Sequence, residues 1–230
     1  MQKIKLILFL LLLCNISYSA EIFKWARAEF ETKRPAETSQ TDLMEEWDYG
    51  EEGDVLLLEE LEKTTSIKTD KKVYKVSFKD LKQVVEYPII FMHSAGLPVL
   101  SDEELKNMKE YMKRGGLIYA EDCQVGPQND YFFQAVKTLV EKKIFPDKKM
   151  TGLPENHPVF SSHFEFPFGF PMVAGVNHPF TALLDEKGRL IMFLSSRDFH
   201  CGWYHKERDP LLRKQALKAG INLIMYSLTN

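Results

Sequence analysis

Three hydrophobic patterns recur along the chain. The first is a short, continuous apolar run. Ile89-Ile90-Phe91-Met92 and Leu117-Ile118-Tyr119-Ala120 contain no charged position, as expected of strands covered on both faces. Pro88 opens the first run, where a missing N–H is tolerated. The second pattern has helical spacing. Leu105, Met108 and Met112 follow Ser101, which makes a capping box with Glu104, while Asp102 and Glu103 suit the positive helix end. Lys113 and Arg114 close that helix, and Gly115 is placed for a left-handed cap. Leu57, Leu58 and Leu61 predict a helix capped by Asp54 and running to about Lys63. Phe132, Phe133, Val136, Leu139 and Val140 predict one capped by Asn129. Asp209-Pro210 opens a last helix, which passes Gly220 and reaches about Leu228.

The third pattern is alternation. It predicts a first strand within Ile22–Phe30, a second over Val73–Phe78, and a hairpin of Thr181–Leu184 with Arg189–Ser195 around Glu186-Lys187-Gly188. Glu31–Gly53 is polar and reads as a surface loop pinned by Trp47 and Tyr49. Residues 153–179 hold five prolines together with Phe160, Phe164, Phe166, Phe168 and Phe170. No period fits that stretch, so it is expected to be an ordered, aromatic loop.

Strands alternating with helices predict an α/β fold: three layers, a mostly parallel open sheet with helices on both faces, and a late β-hairpin. Ligands of such sheets sit beyond the C-terminal strand ends. His93 and Ser94, then Glu121, Asp122 and Cys123, then Asp198, His200 and Cys201 each follow a predicted strand. They should therefore gather at one sheet edge.

Composition adds the compartment. The 230 residues are 44% hydrophobic and 27% charged, which fits one globular domain. Lys3 and Lys5 precede an apolar run, Leu6–Leu13, and small residues follow at Ser17, Ser19 and Ala20. Residues 1–20 thus read as a signal peptide cleaved after Ser19 or Ala20, and 21–230 as the exported domain. The apolar run is too short for a stable transmembrane anchor. The expected location is periplasmic or extracellular. Losing Lys3 and Lys5 leaves 28 basic against 33 acidic residues, a charge of −5. A mildly acidic chain without a basic block is a poor nucleic-acid binder. Cys123 and Cys201 remain after leader removal, and two cysteines can pair in an oxidising compartment.

The YPIIFMHSAG strand and loop, the capped helix ending in RGG, the LIYAEDC strand, the LPENHPVF segment and the GINLIMYSLT helix resemble an uncharacterised bacterial domain family, DUF 4159. The resemblance covers nearly all of the mature chain. That family is similar to the class I glutamine amidotransferase-like fold, a flavodoxin-like arrangement, and to its trehalose-utilisation (ThuA-like) branch. KGRLIMFLSSRDFH resembles the ThuA-like strand and polar turn. The resemblance implies a fold and leaves function open.

It also singles out Cys123, which falls near the place of the amidotransferase nucleophile, after the strand that follows a double glycine. A histidine must activate such a thiol and an acid must orient the histidine. His205-Lys206-Glu207 and His163-Phe164-Glu165 have a suitable spacing, and His200 follows the late strand. However, EDCQV lacks the small residues of a sharp elbow, and two carboxylates beside the sulfur weaken a thiolate. The duller reading of Cys123 is a structural thiol, or half of a disulfide with Cys201. Glu121 or Asp122 could act as a base or acceptor, against the reading that they cap the next segments. In the cluster Asp198, His200, Cys201 and His205, a Cys and a His at i and i+4 can ligate zinc, but there is no C-x-x-C or H-x-x-x-H spacing, so the favoured reading is a polar loop with ordinary histidines and no metal or cofactor is predicted. His93, Ser94, Asp198, Cys201 and Trp203 are expected to line the cleft. His157-Pro158 and His178-Pro179 read as turns.

The favoured expectation is a non-catalytic envelope module that binds a partner protein or a small polar ligand through the strand-end edge. The alternative is a hydrolase or transferase on carbohydrate or amide substrates, using Cys123 or Glu121/Asp122 at the same cleft. A third is a disulfide-stapled scaffold.

Overall fold

The computed structural model describes residues 22–35, 47–123 and 130–230. The anticipated leader and the Asn129 cap lie outside the described residues.

A seven-stranded sheet forms the middle layer. Its strands are β1 (Phe23–Ala28), β3 (Thr69–Val76), β4 (Ile89–Ser94), β6 (Leu117–Asp122), β7 (Thr151–Gly152), β8 (Thr181–Leu184) and β9 (Leu190–Ser195). The order is β3-β1-β4-β6-β9-β8-β7. The first five are parallel, and β8 and β7 extend the sheet antiparallel. The late hairpin is therefore the sheet's antiparallel flank. A separate two-stranded sheet pairs β2 (Glu31–Lys33) with β5 (Leu97–Val99).

Period-2 alternation sorts the strand residues between two cores. Ile90, Met92, Ile118 and Ala120 face α3 (Asp102–Lys113) and α4 (Tyr131–Leu139), which bring Met108, Tyr111, Phe132 and Val136. Ile89, Phe91, Leu117 and Tyr119 face the opposite layer. That layer comprises α1 (Glu51–Thr64), α5 (Phe199–Tyr204) and α6 (Pro210–Thr229), with Leu57, Leu58, Trp203 and Ala219. A four-residue helix, α2 (Leu81–Val84), precedes β4. The fold is a three-layer, mostly parallel α/β sandwich, as the pattern predicted.

Local chemistry explains the element ends. Ser101 and Glu104 form the reciprocal capping box. Gly115 takes φ 110°, while a Cβ on Gly116 would meet the Tyr111 ring at 2.2 Å. The first glycine serves the turn and the second serves close packing. Asp209 accepts from the Leu212 N–H, with Pro210 at the first helical position.

Four expectations need correcting. Asp54 does not cap α1: the helix starts at Glu51 after a left-handed Gly50, and Asp54 points inward. The second strand begins at Thr69, because an edge strand tolerates the polar Thr-Asp-Lys-Lys start. Glu31–Lys33 is a strand rather than loop. The polar turn expected at the end of KGRLIMFLSSRDFH runs directly into a buried helix, Phe199–Tyr204.

The aromatic segment has only a 3-10 turn at Pro158–Phe160. It packs onto the core through Phe160, Phe166 and Phe170, while Phe168 is 93% exposed. Asn222 of α6 holds it in place. Its amide donates to the Val159 and Phe164 carbonyls and accepts from the Phe164 N–H.

Candidate functional site

The parallel strands end together. His93 lies opposite Glu121, Ser94 opposite Asp122, and Glu121 opposite Ser195. Arg27, next to last in the neighbouring strand, lies opposite Phe91. Asp198, His200 and Cys201 sit just past β9, on and before α5. His93 and His200 meet with ring centroids 4.5 Å apart. The strand-end residues therefore converge, as the topology required. His93, Ser94, Glu121, Asp122, Cys123, Asp198, His200 and Cys201 are all buried.

Both acids of β6 act as caps, on opposite faces of the sheet. The two Glu121 oxygens accept from the Phe199 N–H at 2.9 Å and the His200 N–H at 2.8 Å, at the first turn of α5. Asp122 accepts from the Phe133 N–H of α4 at 2.7 Å. Adjacent strand residues point to opposite faces, so each acid serves a different helix layer. Burial pushes Glu121 up to about 8; the Asp198 carboxylate adds to this, and the two N–H groups pull it back. Burial also raises Asp122 well above the carboxylate range.

Behind the caps lies a network that the sequence reading missed. Arg27 donates to Asp54 through Nε at 2.5 Å and Nη2 at 2.9 Å. Its Nη1 donates to the carbonyls of Trp47 and Tyr49. Its Nη2 also lies 2.8 Å from His200 Nε2, which is 3.0 Å from the Gly50 carbonyl. Burial pushes the Asp54 carboxyl up and the Arg27 guanidinium pulls it down. Burial, aided by Arg27, holds His93 down to about 3. His200 is lowered by burial first, then by His93 and Arg27. Both histidines are therefore neutral at ordinary pH. One signal was available: a charged residue inside the apolar run Trp25-Ala26-Arg27-Ala28 needs a buried partner.

Cys123 and Cys201 are thiols and form no disulfide with each other. Their sulfurs and a carboxylate oxygen of Asp198 all lie within 4.8 Å of one another. Asp198 adopts a left-handed backbone, φ 58° and ψ 48°. Neither His200 nor His205 belongs to this group.

The remaining residues lie elsewhere. His205 Nδ1 is 2.8 Å from Glu207 Oε1, so the His-x-Glu spacing does make a pair, at a partly exposed position. His205 and Glu207 line a groove of about 610 Å³ with Tyr49, Val55, Leu56 and Tyr204. Trp203 is core, its indole N–H donating to the Ala216 carbonyl. His163 contacts the Thr64 carbonyl, and His157 accepts from the Val159 N–H as a turn residue does. His178 pairs with Asp130 at 2.6 Å and stacks on Phe133. Another cavity, of about 820 Å³, opens at the opposite sheet edge, beside Pro88, Arg114 and Gly116.

No curated protein matches the chain. The chain belongs to the family described as Domain of unknown function (DUF4159), whose model matches residues 37–228.

Proposed function

We propose that the chain is an exported, non-catalytic binding module of the cell envelope, on a fold of the amidotransferase-like, ThuA-like kind. One observation carries this reading. Glu121, the best-placed acid at the strand ends, spends both oxygens holding the first turn of α5. A general base needs a lone pair aimed at a substrate, and these lone pairs are aimed at backbone N–H groups. Cys123 supports the same reading, since it is 1% exposed and sits against a carboxylate, which disfavours a thiolate. The nearby groove, with a Tyr49–Tyr204 edge contact and the His205–Glu207 pair, suits a small polar ligand or a partner's side chains.

Alkylation kinetics test the reading. In the native chain, Cys123 should react with iodoacetamide more slowly than in the denatured chain at neutral pH. Faster reaction in the native state would mark an activated nucleophile and sink the proposal.

A hydrolase or transferase acting on carbohydrates or amides is the second reading. Burial, with the Asp198 carboxylate, pushes Glu121 up to about 8, the direction a general acid requires. Turnover of aryl glycosides or of a glutamine-type amide, abolished by Glu121→Gln in a folded chain, would establish it over the first.

A further inference from the structure

We propose that Cys123, Asp198 and Cys201 form a site for a borderline-soft divalent cation of the zinc type, which ties the end of β6 to the start of α5. The donor set is two thiols and a carboxylate, all buried. Thiolates select zinc over calcium or magnesium, and a carboxylate completes many zinc sites.

The geometry is close to what such a cation requires. Zinc–thiolate bonds of about 2.3 Å in a tetrahedron put two sulfurs about 3.8 Å apart. The three donor atoms already lie within 4.8 Å of one another, so the sulfurs are at most about 1 Å farther apart than that spacing. A disulfide, at about 2.05 Å, demands a larger approach of the sulfurs.

The backbones that carry the ligands are fixed independently of any ion. The Glu121 carboxylate, two residues before Cys123, holds the N–H groups of Phe199 and His200. Those two residues lie between Asp198 and Cys201. The Cys123 N–H is itself bonded to the Ser94 carbonyl at 3.1 Å. One clamp thus sets the two ligand-bearing segments against each other, as a metal site needs. The left-handed Asp198 backbone, unusual outside glycine, fits a residue held for its side chain. Binding would release both thiol protons to solvent and leave one tetrahedral position for water or an external ligand. This inference stands apart from the binding-module reading, because a cation here would staple the fold whether or not the chain has an activity.

Cobalt(II) titration of the reduced wild-type chain tests it. The expected result is one cobalt per chain, with a thiolate-to-cobalt charge-transfer band and tetrahedral visible bands. Zinc should displace the cobalt and raise the melting temperature. Cys123→Ser and Cys201→Ser should each abolish the charge-transfer band. Should either variant fail to fold, zinc must instead lower the alkylation of both Cys123 and Cys201 of the wild type in urea near the unfolding midpoint, where the metal-free chain exposes these buried thiols, mapped by mass spectrometry. Failure of the folded, reduced chain to take up metal, uptake without the thiolate band, or alkylation unaffected by zinc would overturn the proposal. So would isolation of a metal-free Cys123–Cys201 disulfide that stays metal-free after reduction.

Discussion

Arg27 and Asp54 form an ion pair shut away from solvent, 1% and 0% exposed, joining the end of β1 to the first turn of α1. The guanidinium fork matches the carboxylate with two bonds and spends its remaining donors on two loop carbonyls and His200. Removing one partner leaves a buried, uncompensated charge, which typically costs about 3–5 kcal/mol. Arg27→Met and Asp54→Leu should each destabilise the chain by roughly that much in urea denaturation. The double variant should lose less than the two single losses added together. A strictly additive double variant would show that the two residues do not act as a pair.

His93 gives the chain an acid-sensitive limb. Its folded pKa, about 3, lies below its ordinary 6.5. Between those values the unfolded chain binds a proton that the folded chain refuses. The stability from a neutral His93 is therefore complete above the unfolded pKa and is lost as pH falls toward 3. The slope approaches about 1.4 kcal/mol per pH unit. Arg27 from β1 and His200 from α5 face the ring, and Glu121 lies opposite on β6. Lowered His200 adds to the trend, and raised Glu121 opposes it below neutrality. His93→Phe keeps a ring and removes the titration. Its stability should fall less steeply than wild type between about pH 6 and pH 4.5, and equal slopes would refute the assignment.

Glu121 should matter as a clamp. Glu121→Ala strips two N–H groups at the head of α5 of their acceptor and should cost about 1–3 kcal/mol. Hydrogen exchange localises the effect: the Phe199 and His200 amides should exchange faster, with the α3 amides unchanged. Unchanged exchange at those two amides would remove the capping role.

The two glycines after α3 predict opposite kinds of penalty. Gly116→Ala drives a Cβ into the Tyr111 ring, whose hydroxyl is fixed by bonds to the Tyr87 and Leu117 carbonyls. Gly115→Ala meets no atom within 4 Å, and its cost is the strain of a positive φ alone. Gly116→Ala should therefore lower the melting temperature more, and Tyr111→Leu should rescue part of that loss. The absence of any rescue would place the cost elsewhere.

The layered architecture could be read from the sequence because periodicity reports burial directly. The runs at Ile89–Met92 and Leu117–Ala120 required a sheet covered on both faces, and Ser101 with Glu104 marked where a helix starts. Parallel strands then forced His93, Glu121 and the residues after β9 to one edge. What those residues do there could not be read. Glu121 looks the same in sequence whether it faces a cleft or a helix N-terminus, and only the packing of α5 decided that it caps. Arg27 meets Asp54 and His200 across distant stretches of chain, and Cys123 meets Asp198 and Cys201 in the same way. Sequence determines local propensity and the side a residue faces. Which distant polar groups share a buried space depends on how the layers dock, and that was decided by the tertiary structure alone.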